Sequence, residues 1–575
     1  MFRKNDSHLQ SPLFSSLDVL PPKLQKRLEK SWAGAFYHGF FRQIDEALFA
    51  VLYAEEDSRP NVPVNVLVGL EVMKAGNGWT DEEMYDAFCY DHQVRYALGY
   101  RSLGEGHFEL RTVYNFRRRL SEYMQKNGEN LIGKVFEDVT DKQLQALPVK
   151  TGKLRMDSTQ VASNIQNGSR LQLLVEVLRR MHRLFSEEEQ AHYEALFAPY
   201  VKGKANHYVY HLRGAYLDHI QQIGVVMAQL LADLAEGYGE APAYQMLKRV
   251  FEEHFVWTEQ EQRPKQGQEL SADSLQSPDD WEASYRKKRE EGYVGYVSNV
   301  TETCDPENDL QLIVHMQTEA NVSDDAALLE EALPQLKERL DVEEMYTDGG
   351  YNSEDVDKLM RELEVELHQT AIRGGAPAPE RVGLADFSID TTDKGHPQQL
   401  TCPGGQTILA EPGHQPGRFI ARFDAERCAA CPLRNQCTVP SSKQPGKAVL
   451  YLEQRQVDVA LKRQRLRTMQ QSGQNLRSAV EATVRSVKHP FRGKLPVRGK
   501  FRMASMMFAS ALMVNVRRIH AYQIQHQDET QQLSPVFGHF QRLTRFLRPR
   551  GGLYRHLSAK FRRWLPISSA SYAIV

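Results

Sequence analysis

Between residues 150 and 372 the chain alternates between strand-like and helix-like segments, and this alternation constrains the fold more than any other feature. Short runs of strand character are separated by stretches with helical periodicity. Such alternation favours an α/β domain in which helices cover a sheet. The predicted strands are 152–161, 292–303, 310–319, 343–347 and 366–372, and the helices between the later strands are 324–340 and 354–363.

The region before this α/β segment, residues 1–145, is predicted to be helical. Thr80 followed by three acidic residues is a typical helix start. A later helix carries Arg117, Arg118 and Arg119 after a glycine-containing turn, which is similar to a helix-turn-helix DNA reader. We therefore expect these arginines to contact DNA. A small helical bundle with a polar face is the alternative interpretation.

Three acidic residues stand where a metal site could form. Asp157 lies at the end of the first predicted strand, Asp348 directly follows strand 343–347, and Glu481 lies on a helix that Pro490 ends. Carboxylates on separate rigid elements are ligands that Mg²⁺ prefers, with water and substrate phosphate completing the octahedron. Asp-Ser-Thr and Asp-Gly-Gly are also typical of caps and turns, so each motif alone leaves both interpretations open.

The predicted helix around Glu481 also carries two cations. Arg477, Glu481 and Lys488 are spaced by four and seven residues, which places all three on one face of a helix. That face suits a metal ligand bordered by phosphate contacts. A solvated helix surface with paired charges is the alternative.

Four of the six cysteines fall within residues 402–437. Cys428 and Cys431 form a tight pair, Cys437 follows, and Cys402 lies in a Thr-Cys-Pro-Gly-Gly turn. In a chain that is not exported, clustered thiols suggest metal ligands before disulfides. Tetrahedral Zn²⁺ fits such a set, and thiols that are simply buried are the alternative.

Charge and hydropathy narrow the class of protein further. The net charge of −2 conceals seventeen Lys or Arg and only two acids between Arg485 and Arg563, a surface that could attract a phosphate backbone or simply be solvated. No stretch approaches the roughly 20 apolar residues of a membrane span. The first ten residues lack the apolar core of a signal peptide, so we expect a cytoplasmic protein.

Several runs of sequence resemble DDE transposases, and specifically the eleven-eighty-two group of bacterial insertion sequences. The four main runs are 155–161 (RMDSTQV), 275–280 (LQSPDD), 292–299 (GYVGYVSN) and 346–353 (YTDGGYNS). The basic stretch 285–289 (YRKKR), Val480-Glu481 and Lys488 add to the likeness. The resemblance spans nearly the whole chain.

This resemblance implies a ribonuclease-H-like α/β catalytic core on which Asp157, Asp348 and Glu481 hold Mg²⁺ or Mn²⁺. Two cations roughly 4 Å apart would activate the attacking oxygen and stabilise the leaving one. Related transposases carry a Tyr, an Arg and a Lys around the Glu. Arg477 and Lys488 match two of these, whereas the Tyr position is Gln474.

The predicted organisation has five parts. A helical DNA-binding domain precedes a catalytic core that two insertions interrupt, one helical and one Cys-rich with little regular structure and a possible structural Zn²⁺. A basic tail follows the core. The ranges are 1–145 for the DNA-binding domain, 150–165, 291–372 and 456–525 for the core, 166–290 for the helical insertion, 373–455 for the Cys-rich insertion and 526–575 for the tail.

The function that the resemblance implies is metal-dependent cleavage of double-stranded DNA at the ends of an insertion element, then strand transfer into target DNA. A homodimer on DNA, associated with the bacterial nucleoid, would carry it out, with Arg477, Lys488 and the basic tail on phosphates. The sequence contains no Gly-rich nucleotide-binding loop. Two alternatives stay open: a nuclease that cuts without joining, and a DNA-binding repressor that has lost catalysis.

Overall fold

The structure, a computed structural model, is a mixed α/β protein with a helical N-terminal region. It divides into two compact units, Met1–Arg518 and Ile519–Val575. No helix among the described residues has the length and apolarity that a membrane span requires. The described residues are 1–10, 15–54, 60–102, 104–166, 168–288, 290–372, 378, 380–392, 395–437, 439, 448–473 and 475–526.

The N-terminal region is built from helices, as its sequence predicts. They are α1 (Pro22–Glu29), α2 (Trp32–Gly39), α3 (Val64–Asn77), α4 (Asp81–Tyr90), α5 (His92–Ala97), α6 (Leu110–Asn127) and α7 (Leu131–Ala146). At the start of α4 the Thr80 side chain accepts a hydrogen bond from the Glu83 backbone N–H, and the Glu83 carboxylate accepts one from the Thr80 backbone N–H. The predicted helix start at Thr80 is thus confirmed.

A strand, a helical segment and a short hairpin follow. They are β1 (Lys153–Ala162), α8 (Arg170–His182), α9 (Glu187–His192), α10 (Glu194–Val201), α11 (Ala205–Tyr210), α12 (Tyr216–Asp233), α13 (Ala235–Tyr238), α14 (Pro242–His254), β2 (Phe255–Trp257) and β3 (Gln262–Pro264). The next strand, β4 (Ser284–Lys288), was not predicted. The elements after it follow in the predicted order: β5 (Glu291–Thr303), β6 (Ile313–Ala320), α15 (Asp325–Arg339), β7 (Glu344–Thr347), α16 (Glu354–Glu362) and β8 (Glu366–Gln369).

The remaining elements lie in the cysteine-rich region and after it. They are β9 (Ser388–Thr391), β10 (Pro397–Thr401), β11 (Thr407–Pro412), β12 (Arg418–Phe423), α17 (Ala425–Ala429), β13 (Ala448–Glu453), α18 (Gln454–Ser472), α19 (Val480–Lys488) and α20 (Lys500–Gln525). In the second unit, the described residues are helical as far as Gln525.

A mixed sheet lies at the centre of the first unit, with strand order β4-β5-β1-β7-β8 and β6 also paired with β5. β5 is antiparallel to β1, β4 and β6. β7 is parallel to both β1 and β8. The edge strand β4 falls within residues 166–290, the range predicted as a helical insertion.

Apolar side chains cover both faces of this mixed sheet. On one face, Val300 and Ile313 share a buried core with the N-terminal helices and with Met507 of α20. On the other face, Leu154 and Met345 pack with residues of α15 and α16. The segment α8–α14 and the cysteine-rich region each have a separate core. The sheet is therefore fixed from both sides, which holds its strand ends in place.

The cysteine-rich region is more regular than its sequence predicts. Its many glycines and prolines predict little regular structure over 373–455, and this prediction is wrong. Among the described residues, β9–β13 form a five-stranded antiparallel sheet in the order β13-β12-β11-β10-β9. Glycines serve the tight turns between short strands, for example Gly405 with φ 80° and Gly417 with φ 75°. Strands this short show too little alternation to be recognised.

A buried histidine in the mixed sheet predicts acid sensitivity of the fold. His315 on β6 is 3% exposed and neither of its ring nitrogens has a hydrogen-bond partner. Burial, and secondarily Arg339, lowers the pKa of His315 from 6.5 to about 4. Between these values the unfolded chain binds a proton that the native chain does not, so stability falls as the pH falls. The expected loss between pH 7 and pH 5 is about 2 kcal/mol.

Urea midpoints at pH 7 and pH 5 test this expectation. His315→Leu removes the titrating group and should shrink the difference between the two midpoints. His107→Gln, a change at a histidine that is 60% exposed, serves as the control and should leave the difference as in the parent. An unchanged pH dependence in His315→Leu would show that this histidine does not cause the acid sensitivity.

Candidate active site

Asp157 and Asp348 lie next to each other on neighbouring parallel strands. In the β1–β7 pairing, Leu154 lies opposite Met345 and Arg155 opposite Tyr346. Two residues further along each strand are Asp157 and Asp348. Neighbouring strands are about 4.8 Å apart, so the register alone brings these carboxylates together. Asp348 lies just beyond the end of β7 at Thr347. Asp157 lies in the middle of β1, which continues along β5 to Ala162, so the prediction that Asp157 ends its strand is wrong.

The turn after β7 depends on two glycines. Asp348 Oδ1 accepts from the backbone N–H of Gly350 at 2.7 Å. A Cβ at Gly349 would lie 2.7 Å from the carbonyl oxygen of Ala371, and one at Gly350 would lie 2.8 Å from Asp325 Oδ2. At Gly349 the close atom is backbone, so a larger residue there would shift the turn, and at Gly350 it would push aside the carboxylates of the site.

Glu481 and the two aspartates all lie within 4 Å of the same arginine side chain, that of Arg477. Arg477 contacts Asp157 Oδ1 at 3.1 Å, Glu481 Oε1 at 3.4 Å and Asp348 Oδ2 at 3.9 Å. The arginine side chain is only 15% exposed, whereas Glu481 is 68% exposed in the first turn of α19. The structure thus brings the three predicted acids around a single guanidinium group.

Arg477 lies before α19 and not on it, so the prediction of one helix face carrying Arg477, Glu481 and Lys488 is wrong. The N–H of Val480 bonds to the carbonyl of Arg477, three residues back, as in a turn. The carbonyl of Leu476 accepts from Arg155 of β1 at 2.9 Å. This tertiary bond holds the segment outside the helix and turns the guanidinium toward the strand ends.

Burial and charge work against each other at Asp157. Burial raises the pKa of Asp157, the Arg477 guanidinium opposes this shift, and the neighbouring Asp348 adds to it. Burial lowers the pKa of Arg477, but the three carboxylates outweigh this and raise it overall. As the side chains lie, no group of three or more His, Cys, Asp or Glu in the described part of the chain is assembled to hold a metal ion. Arg477 supplies the positive charge among the three acids.

Lys488, the second predicted cation, lies beside the same strand as Asp157. Its Nζ donates to Thr159 Oγ1 at 2.9 Å and to the carbonyl of Gln160 at 2.6 Å. Burial lowers the pKa of Lys488, and Lys288 on the edge strand lowers it further. Lys488 therefore anchors the end of α19 to β1.

A fourth carboxylate, which the sequence did not single out, borders the site. Asp325 Oδ1 accepts from Ser158 Oγ at 2.7 Å, one residue after Asp157. Its side chain is 12% exposed, and Arg286 of β4 lies 3.9 Å away. Asp324-Asp325 at the start of α15 looks like an ordinary helix cap in the sequence, so only the pairing of distant elements identifies its position.

A buried ionic network connects this site to the core. Glu302 of β5 has a fully buried side chain and accepts from Arg155 Nε at 2.6 Å, from Thr483 Oγ1 at 2.7 Å and from Arg518 at 2.7 Å. Thr483 lies on α19, two residues after Glu481. The network therefore fixes the helix that carries Glu481 against β1 and β5.

The three N-terminal arginines predicted to bind DNA differ in their surroundings. Arg117 lies 2.7 Å from Glu71 and 2.7 Å from Asp81, so two internal carboxylates balance its charge. Arg118 pairs with Glu122 at 2.9 Å and is 61% exposed. Arg119 lies over the Tyr53 ring, 5.2 Å from its centroid. DNA contact by these residues stays a prediction.

The cysteines Cys402, Cys428, Cys431 and Cys437 line one small cavity in the cysteine-rich region. Cys89 and Cys304 lie elsewhere, and Cys304 is buried directly after the end of β5. Gln474 and all but the first residue of the basic tail 526–575 lie outside the described residues. The predictions made for them are not addressed by the structure.

One comparison with known proteins bears on this site. A family model described as a transposase DDE domain matches residues 401–520, a stretch that includes Glu481, Arg477 and Lys488 but neither aspartate. No curated protein and no solved structure matches the chain. The match supports a DDE transposase family, and with it a nuclease or transposase activity that acts on DNA.

The position of Arg477 predicts how the site responds to metal. Arg477→Gln should lower the free energy of unfolding in metal-free buffer by about 2 kcal/mol, because hydrogen bonds between charged groups contribute about 1.5–3 kcal/mol. Added Mg²⁺ should raise the unfolding temperature of the variant more than that of the parent, since the cation replaces the missing positive charge.

Thermal unfolding with and without Mg²⁺ measures both effects. Arg118→Gln is the matched control, because that arginine is exposed and paired within its own helix, and it should behave as the parent does. An Arg477→Gln protein with parental stability and a parental response to Mg²⁺ would contradict a role of this arginine in balancing the carboxylates.

Proposed function

We propose that this protein is a DDE transposase of the eleven-eighty-two group, with Asp157, Asp348 and Glu481 as its catalytic carboxylates. The observation that carries the proposal is the convergence of these acids on Arg477, at 3.1, 3.9 and 3.4 Å respectively. They are far apart in sequence, and a surface of unrelated charges would not bring them to one guanidinium. The family match over 401–520 independently supports the same class.

The arrangement of the sheet also supports the proposal. The resemblance implies a ribonuclease-H-like core, and a mixed sheet with antiparallel β1, β5 and β6 followed by parallel β7 and β8 is compatible with one. Ligands of α/β sheets commonly bind beyond the carboxyl ends of parallel strands. Asp348 follows the end of β7, and Asp157 lies on β1 just past the last residue that pairs with β7. The segments between β1 and β4 and between β8 and α18 would be the two insertions.

The donor set fits divalent metal. Hard oxygen ligands on three separate elements come from Asp157, Asp348 and Glu481. Their negative charges are balanced by Arg477 as the side chains lie, and a divalent cation would balance them in the same way. Mg²⁺ or Mn²⁺ held there would supply Lewis-acid stabilisation of charge at the phosphodiester and at the attacking oxygen. The exposed Glu481 is the carboxylate with most freedom to move toward the aspartates.

The cations of the site would position DNA. If the three carboxylates held metal, Arg477 would no longer be needed to balance their charge, and its planar guanidinium would suit a phosphate. Lys488 on α19 is held against Thr159 and Gln160 of β1 and would contact the backbone of the substrate. The N-terminal region would find the ends of the element, and a dimer would join two ends before cutting.

Incubation with DNA tests the proposal directly. Labelled duplexes that carry the DNA flanking this gene, with Mg²⁺ or Mn²⁺, should give nicked ends with free 3′-hydroxyls and then products joined to a supercoiled plasmid. No product should form when EDTA is present. Cleavage without any joined product would favour a nuclease, and retarded gel mobility with no cleavage in either metal would favour a repressor. Either result would overturn the proposal of a transposase.

A further inference from the structure

We infer that Cys402, Cys428, Cys431 and Cys437 bind one structural zinc ion within the cysteine-rich sheet. All four residues line a single cavity of about 20 Å³, which Phe423 and Val439 also line. A volume of this order holds one water-sized guest. As the side chains lie, the four thiols are not assembled to hold an ion, so zinc binding would require them to turn into this space and form a tetrahedral site with Zn–S distances of about 2.3 Å.

The turn that carries Cys402 is shaped around its sulfur. Cys402 and Gln406 close a tight loop in which the N–H of Gly405 bonds to the carbonyl of Cys402 at 2.9 Å and φ of Gly405 is 80°. The backbone N–H of Gln406 points at Cys402 Sγ at 3.4 Å. A Cβ at Gly404 would lie 3.1 Å from Cys431 Sγ and 3.6 Å from Cys402 Sγ. Two sulfurs from distant segments thus approach one glycine.

The opposite side of the cavity brings in the other thiols. Cys428 lies on α17, and its Sγ accepts from Gln406 Nε2 at 3.4 Å. Cys437 forms an isolated backbone β-bridge with Val382, which connects the end of the cysteine segment to the chain just before β9. Gln406 is 7% exposed and donates to two sulfurs, an arrangement that stabilises thiolates in the way second-shell donors of metal sites do.

The local fold explains why a metal would be useful here. The core of this sheet is the small cluster around Phe387, Leu400 and Leu452, and the strands are short. Zinc would connect the β10–β11 turn, α17 and the segment paired with Val382. Such a crosslink supplies folding energy that a small apolar core does not.

The chemistry is a simple exchange of protons for metal. Each coordinating thiol loses its proton to solvent and binds as a thiolate, so one Zn²⁺ displaces up to about four protons and no electrons move. A site of four thiolates could also hold iron, but a structural crosslink between loops needs only a redox-inactive tetrahedral ion. Zinc is therefore the ion to which the inference commits.

The full-length protein, purified without chelators, provides the test. Elemental analysis should find about one zinc per chain, and a mercurial reagent should release it to a metal-sensitive dye. Replacement by Co²⁺ should give the intense visible absorption of a tetrahedral thiolate site. Cys428→Ser with Cys431→Ser should remove the metal, while Cys89→Ser with Cys304→Ser, the matched control, should retain it.

The cobalt spectrum needs no variant, so it decides the matter even where the double substitution prevents folding. Parental protein without zinc and without a thiolate–cobalt spectrum would overturn the inference, as would stoichiometric iron. The inference stands apart from the proposed transposase activity, because metal content is measured without DNA.

Discussion

Asp157→Asn, Asp348→Asn and Glu481→Gln are each expected to abolish DNA cleavage and strand transfer while DNA binding persists. An amide has nearly the shape of a carboxylate but lacks the charge that holds a hard cation. Loss of several kcal/mol of charge stabilisation in the transition state lowers the rate by about 10³-fold or more. Cleavage of labelled element ends measures the rate, and gel-shift titration measures binding.

Controls for these variants come from the start of β7, the strand that Asp348 follows. Asp341→Asn and Glu343→Gln change exposed acids just before β7, remove the same charge and should cut at the parental rate. The expected ranking is informative as well, since Glu481 is far more exposed than Asp157 and its substitution should leave stability unchanged. A catalytic variant that cuts as fast as the parent would show that its residue is not a metal ligand.

The strand ends of the site could be predicted from the sequence because local signals define them. Strand 343–347 runs directly into the Asp-Gly-Gly turn, and Asp157 follows a short strand-like run at 153–156. Parallel pairing of two such strands then brings the acids together with no further information. The approach of Glu481 needed the whole fold, since the cysteine-rich sheet and α18 lie between it and β8.

Residues whose role depends on distant partners could not be predicted. Glu302 stands in the polar run Asn-Val-Thr-Glu-Thr, where a charged residue predicts a solvent-facing strand position. Its burial depends on Arg155, Thr483 and Arg518, which are 147, 181 and 216 residues away in sequence. Arg477 was wrongly predicted as a helix residue for the same reason. Its position depends on a distant partner, since Arg155 bonds to the carbonyl of the preceding residue.

Glu302→Ala should therefore be the most destabilising single change among the residues around the site. The substitution leaves Arg155 and Arg518 without their shared carboxylate in a buried place. Breaking a buried ion pair by removing one partner costs about 3–5 kcal/mol. The urea midpoint should fall accordingly, and Glu302→Gln should recover only part of it, because the amide can still accept from Thr483 but carries no charge.

The matched control is Glu307→Ala, which removes an acid that is 73% exposed in the loop after β5 and should leave the midpoint nearly unchanged. Thr483→Val separates positioning from stability. It removes the hydroxyl bond to Glu302 and keeps the side-chain volume, so the urea midpoint should change little. The rate of cleavage should still fall, because α19 loses a bond two residues from Glu481. If Glu302→Ala unfolds at the parental urea concentration, the network does not fix α19, and the placement of Glu481 must depend on Lys488 and on packing alone.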